Sequence, residues 1–360
     1  MASPAQQSIC CLFHNSSVYN GSHFSEVNWS EIKEAYNWIC LVSASLSACG
    51  AIYQILPRAP RYFPKTQREL DAFVRQRSLI RWLAVADLMA VAGILTRSIV
   101  WQAHRIPWRP QQGEANIDFA HLFCAVISGW VMFFYLSTYA WTVCYSFDIM
   151  RLVSDKGSKM VLYHICGWVV PMVLTVGGLL PFYLPSLTSC RDGKEHWLPH
   201  YLVTYCSILL VIIITPVLYY ISSKKVRTSM RRRGLYTNHE RRVIQTISSK
   251  YFAVTLVFFV CWSPNLVNGI LLLFEDKVPS GYFISLWNYM AVVNPMQALL
   301  NSLVYRGFGS CTFGGQEAFE TENARKRVRK NPREGVQYQS ATDFEDSENA
   351  PLLSFRAVSI

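Results

Sequence analysis

Polar and apolar positions in this chain segregate by whole segments. Seven apolar stretches, 34–56, 78–100, 119–147, 160–184, 197–221, 251–274 and 282–305, are separated by short polar connections. An α-helix needs about 20 mainly apolar residues to cross the hydrocarbon core of a bilayer. The pattern therefore predicts an all-α membrane protein, a seven-transmembrane helix bundle. The basic residues sort with it: 26 of the 34 Lys and Arg fall in the tail and in the connections after the first, third and fifth stretches. Cytoplasmic loops retain Lys and Arg, which predicts a luminal or extracellular N-terminus and a cytoplasmic C-terminus. Three regions follow: 1–33 as a luminal segment, 34–305 as the helical domain and 306–360 as a cytoplasmic tail.

Composition narrows the class. With 51% hydrophobic and 16% charged residues over 360 positions, one membrane domain fits better than two soluble ones. The net charge of +11 sits on the connections expected to be cytoplasmic, so its partner is anionic lipid rather than nucleic acid. Residues 1–33 are polar without an apolar core, so no cleavable signal is expected and the first helix serves for targeting. That segment carries three glycosylation sequons, at Asn15, Asn20 and Asn28, on the side expected to be luminal. Most of the 11 cysteines are single residues in apolar stretches and read as small buried hydrophobes. Cys124 and Cys190 both belong to the oxidising side: either a bridge pins the fourth connection over the bundle, or both thiols are free. Cys10 and Cys11 are luminal with open pairing, and Cys311 is either a palmitoylation site or a plain cytosolic thiol.

Several polar residues lie where burial is costly. Asp87, mid-way along the second helix, reaches neither interface, so it joins an internal network with Asn294 or serves as a static brace. Asn294-Pro295 supplies both a partner and a break in the seventh helix. Arg97 lies about 15 Å further along, and either snorkels to headgroups or offers a ligand carboxylate a bidentate grip. Trp262 and Pro264 mark a kink where small shifts become large displacements at the cytoplasmic end; alternatively Trp262 only fills the core. Thr237 and Glu240 fit a capping box that extends the sixth helix below the membrane, with Arg241, Arg242 and Lys250 on its surface. His196 and His200 have metal-pair spacing, but Pro199 interrupts the turn and no completing ligand is evident, so no metal is expected. A pH response or an ordinary helix-start histidine remains for His200. Asp148 is 24 residues past Cys124, about 36 Å, at the cytoplasmic end of the third helix.

Trp168, Cys261-Trp262-Ser263-Pro264 and Asn294-Pro295, with the Cys124 and Cys190 pair, resemble the skeleton of G-protein-coupled receptors. In that resemblance Asp87 is the central acidic residue of helix 2 and Asp148 the acidic residue of an Asp-Arg-Tyr motif. Here Ile149 and Met150 follow it, Arg151 is out of phase, and Ala298 stands where Tyr is expected after Asn294-Pro295. Val131 occupies the position where amine receptors carry an Asp. Stretches 161–168 (VLYHICGW), 199–201 (PHY), 234–242 (GLYTNHERR) and 294–297 (NPMQ) resemble the ocular albinism type 1 family of pigment-cell receptors. The resemblance implies a heterotrimeric G-protein partner and a melanosomal or late-endosomal membrane; the projecting sixth helix with Arg241, Arg242 and Lys250 offers a surface to such a partner or to anionic lipid. It also implies a ligand related to L-DOPA, for which Arg97, Val131, Trp262 and His200 are candidate contacts.

Other classes fit less well. A zinc hydrolase needs several His at one membrane depth, whereas His121, His164, His196 and His200 differ in depth. A lysosomal transporter is expected to show internal repeats and broken helices. Retinal chemistry needs a Lys in 282–305, which has none. No enzyme activity and no cofactor are expected; a plasma-membrane receptor for another small ligand stays as the alternative. In the tail, 325–330 (RKRVRK) reads as a lipid-facing patch. Glu348 with Leu352-Leu353 fits an acidic dileucine signal for clathrin adaptors, which need an extended, accessible segment.

Overall fold

The computed structural model describes residues 29–56, 67–104, 116–153, 159–183, 194–232, 238–274 and 280–306. These form seven helical elements and, among the described residues, no strand. They are α1 Trp29–Ile55, α2 Gln67–His104, α3 Asn116–Val153, α4, α5 Lys194–Arg232, α6 Asn238–Leu272 and α7 Ser280–Arg306. The fourth runs as Met160–His164, a wider π-helical turn Ile165–Val169 and Val170–Tyr183. Each helix packs on its neighbour in sequence, α7 returns to α1, and α3 also meets α5, so the bundle closes into a ring.

The helices exceed the apolar stretches at one end. α2 starts 11 residues before the predicted stretch, α5 ends 11 after it and α6 begins 13 before it. At 39 residues, α5 is about 58 Å long, nearly twice the hydrocarbon thickness. All these extensions lie at the end the charge pattern predicts to be cytoplasmic. Six helices, α1 to α6, are long and apolar enough to cross a membrane. The seventh predicted stretch is also a helix, but Asn294, Gln297, Asn301 and Ser302 lower its apolarity, and all four are buried. Its polar residues face the core.

The surface is inverted relative to a water-soluble protein. Leu202, Leu210, Ile213, Val173 and Phe259 are exposed, while Asn265, Asn268, Ser137 and Thr138 are fully buried. Interior polar groups and an apolar exterior suit hydrocarbon as solvent. One core runs through α1, α2, α3, α5, α6 and α7 around Tyr135, Tyr139, Phe258, Trp262 and Met290. A second joins α2, α3 and α4 around Leu83, Trp141 and Tyr163. There Trp141 stacks on Trp82 at 6.3 Å and meets Trp168 edge-on at 5.7 Å. Gly167 in the π-helical turn lies against the Trp141 indole, where a Cβ has no room.

Small residues bring α1 onto α7. Ala44, Ser47 and Ala51 of α1 are fully buried, and a Cβ on Gly50 would stand 2.6 Å from the Cα of Leu299. Backbone cannot yield as a flexible side chain does. Gly50→Ala is therefore expected to lower stability by about 1–3 kcal/mol, read as a drop in unfolding temperature of the detergent-solubilised protein. Gly177→Ala is the control, because a Cβ there meets nothing within 4 Å. Equal effects at the two positions would show that backbone approach does not limit α1 packing.

Candidate functional site

The joint in α7 is built first by the backbone. Pro295 has no N–H, so the carbonyl of Ala291, four residues earlier, loses its helical donor. Ser43 Oγ of α1 donates to that oxygen at 2.9 Å. One turn on, Ser47 Oγ donates to the Pro295 carbonyl and accepts from Leu299 N at 3.3 Å. The Ser43 hydroxyl thus replaces the one donor the proline removes, and Ser47 bridges the backbone one turn on.

Around this joint lie the polar residues singled out in the sequence. Asn294 pairs with Asn265 of α6 in both directions, at 2.9 and 3.3 Å. Asp87 was expected to pair with Asn294; instead its Oδ1 accepts from Thr138 at 2.9 Å and its Oδ2 from Asn301 at 3.1 Å. Asn294 and Asn301 are seven residues apart, about two turns, and so share a face of α7. Depth alone decides between them, and Asp87 lies at the deeper one. Tyr305 follows four residues later, its ring edge-on to Tyr145 of α3 at 5.4 Å. The Asn-to-Tyr spacing absent after Asn294 is thus present from Asn301 to Tyr305. The string Asn301-Ser302-Leu303-Val304-Tyr305 carried that signal, hidden because Ser302 stands in place of a proline.

Trp262 is fully buried at the centre. Tyr139 and Tyr135 of α3 meet its ring edge-on at 4.6 and 4.9 Å, and its Nε1 donates to Gln297 Oε1 of α7. Pro264 lies inside a continuous α6. Toward the opposite end of α2, Arg97 turns inward rather than to the headgroups. Its guanidinium carbon is 5.7 Å from the Tyr36 ring centroid and Nη2 is 3.9 Å from Cys40 Sγ, both on α1. No carboxylate among the described residues pairs with it. The buried hydroxyl of Tyr135 has no hydrogen-bond partner among the described residues. Val131, one turn from Tyr135, packs toward Gly93, one turn from Arg97.

His200 departs from expectation. α5 begins at Lys194 and runs through Pro199, so Pro199 does not interrupt it. His200 is fully buried where α5 meets Gly178 of α4. Gly178 also faces Met132, so His200 and Val131 lie on different flanks of α3. On the neighbouring turn of the bundle, Trp287 Nε1 donates to Asn268 Oδ1 at 2.9 Å and Asn268 Nδ2 to Tyr205 Oη at 3.4 Å, joining α5, α6 and α7. Sequence reasoning did not single out these three, nor Tyr36, Tyr135 and Gln297. No group of His, Cys, Asp and Glu among the described residues has metal-binding geometry.

At the predicted cytoplasmic end Asp148 is fully buried and pairs with Arg75 Nε of α2 at 2.7 Å. Tyr163 of α4 donates to the same oxygen at 2.9 Å. Arg151 lies over the Phe147 ring instead. Arg241, Arg242 and Lys250 belong to α6, and Cys124 to α3, with their side chains outside the described residues. Asn15, Asn20, Asn28, Cys190, Cys311, Thr237, Glu348 and the Leu352-Leu353 pair lie outside them altogether.

Comparison with known proteins adds the family. The model described as ocular albinism type 1 protein matches residues 1–350. "G-protein coupled receptor 143" of Homo sapiens is 28% identical over 98% of this chain and 86% of its own length. "Cyclic AMP receptor-like protein C" of Dictyostelium discoideum is 21% identical over 63% of this chain and 62% of its own. "Cyclic AMP receptor-like protein E" of the same organism is 20% identical over 47% of this chain and 54% of its own. With six helices able to cross a membrane, the chain is a multi-pass membrane protein, and it belongs to the ocular albinism type 1 protein family.

Proposed function

We propose that this protein is a G-protein-coupled receptor of melanosomal or endolysosomal membranes that senses L-DOPA or a related tyrosine metabolite. The observation that carries the reading is Arg97: a cation turned into the bundle against Tyr36 and Cys40 of α1, with no carboxylate partner among the described residues, while Tyr135 of α3 meets Trp262 edge-on. A guanidinium grips a carboxylate with two parallel N–H bonds, and Tyr36 and Tyr135 add aromatic and hydroxyl surface beside it. An amino-acid ligand there meets α1, α2 and α3 together. Its pressure on Tyr135 passes to Trp262 and, through Gln297, to α7. Asp87, with Asn301, is the switch below them, and the heterotrimeric G protein docks against the projecting ends of α5 and α6, with Arg241, Arg242 and Lys250. The name of the human relative supports G-protein coupling. All seven helices cross the membrane in this reading, with 1–33 luminal and glycosylated at Asn15, Asn20 and Asn28, and Cys124 bridged to Cys190. The tail carries a lipid-facing basic patch and the Glu348, Leu352, Leu353 signal for clathrin adaptors, with Cys311 as a lipidation site.

In a form retained at the plasma membrane, Arg97→Gln is expected to weaken G-protein activation by L-DOPA by about tenfold to a hundredfold. Dopamine, which lacks the carboxylate, should activate the unaltered receptor poorly and lose nothing further. An L-DOPA response unmoved by the substitution would remove Arg97 from the site. Asp87→Ala should leave the amount of protein unchanged and alter signalling; loss of protein alone would mark Asp87 as a brace. For location, Leu352→Ala with Leu353→Ala is expected to raise the cell-surface fraction measured by surface biotinylation. An unchanged intracellular distribution would transfer the signal to the cytoplasmic loops.

A further inference from the structure

The Arg75–Asp148 ion pair ties together three helix ends. Asp148 of α3 is fully buried, Arg75 of α2 is 16% exposed at the water edge, and Tyr163 belongs to α4. Both donors, Arg75 Nε and Tyr163 Oη, use the same oxygen, Oδ1. Oδ2 is buried and has no partner among the described residues. A brace built for rigidity would use the two-pronged fork of Arg and satisfy both oxygens. This contact grips by one N–H at the boundary with water. It also ends a chain of contacts. Asn301 holds Asp87, Tyr305 one turn on packs on Tyr145, and Tyr145 precedes Asp148 by three residues on α3.

We infer that Arg75 is a positioning residue: it latches the predicted cytoplasmic ends of α2, α3 and α4 shut, and this end opens when the pair parts. Arg75 thereby supplies from α2 the cation that Ile149 and Met150 do not supply after Asp148. Once the guanidinium leaves, the carboxylate has no counter-charge in a low-dielectric interior, so it takes up a proton or draws in water, and in either case the attraction that held the ends of α2, α3 and α4 together is gone. The latch as an output control rests on the receptor reading above; as a structural device it does not.

Cys144 reports the opening. It is buried one turn from Asp148 on α3 and faces Cys166 of α4. The full chain in lipid nanodiscs is treated with a small alkylating reagent, and the rate is followed by mass spectrometry at Cys144 and at Cys261, which is fully buried in the other core. Arg75→Gln and Asp148→Asn are each expected to raise the Cys144 rate by roughly tenfold or more, with Cys261 unchanged. Arg75→Lys, which keeps the charge, should stay near the unaltered protein. Adding Arg75→Gln to Asp148→Asn should raise the rate no further, as required of two groups acting as one contact. An unchanged Cys144 rate in both single variants overturns the latch. So does a parallel rise at Cys261, which signals general loosening, or full additivity in the double variant. Basal G-protein activation in membranes carrying Arg75→Gln separates the two claims. A rise supports both, whereas a freed Cys144 without it upholds the latch and counts against the G-protein reading.

Discussion

The helix bundle depends on how α7 packs against α1 with a proline inside it. In lipid an orphaned carbonyl finds no water, and each costs several kcal/mol. The hydroxyls of Ser43 and Ser47 close the gap around Pro295, and they reach it because Gly50 and the alanines beside it let α1 lie against α7. Packing and hydrogen bonding are one requirement here. A bulkier α1 would lift both serines away from the carbonyls they serve. Without the proline, Ser43 would have no orphan to satisfy.

This repair frees α7 to present a polar face along much of its length. From one end to the other, α7 offers Asn294 to Asn265, Gln297 to Trp262 and Asn301 to Asp87. Every member is buried, so each must be matched, and the match fixes the rotation and depth of α7 against α2 and α6. The same residues depress the apolarity of the helix. A helix that lines a polar core on one face can meet lipid only on a narrow stripe.

The aromatic residues divide the interior differently. Tyr135 and Tyr139 hold Trp262 between α3 and α6, whereas Trp82, Trp141 and Trp168 fill the space among α2, α3 and α4. The π-helical turn at Ile165–Val169, with Gly167 against Trp141, is the adjustment that admits an indole there. Arg97 sits above the first group and the Arg75–Asp148 pair lies beside the second. α3 touches both groups, which makes it the common wall of the molecule.

The helix count was legible in the sequence because long apolar runs have few alternatives to helix, and six of the seven are long and apolar enough to cross a membrane. Seven apolar stretches became seven helices with little error at their apolar ends. Their aqueous ends were not legible: α2 begins at Gln67 and α5 continues to Arg232, since helix leaving the membrane has no apolar signature. Asp87, Arg97, Asp148 and Trp262 were recognisable one by one, because a charge, or an indole beside a proline, inside an apolar run must have a reason. Their partners were not. Asn294 and Asn301 share a face and differ only in depth, so the chain could not say which meets Asp87. Arg75 and Asp148 are 73 positions apart, and only the packing of α2 on α3 joins them. Pro199 looked like an interruption beside His200 until α5 ran through it and buried the histidine against α4. A sequence carries the cost of burying each group, but the rotation and depth of neighbouring helices decide which group offsets it.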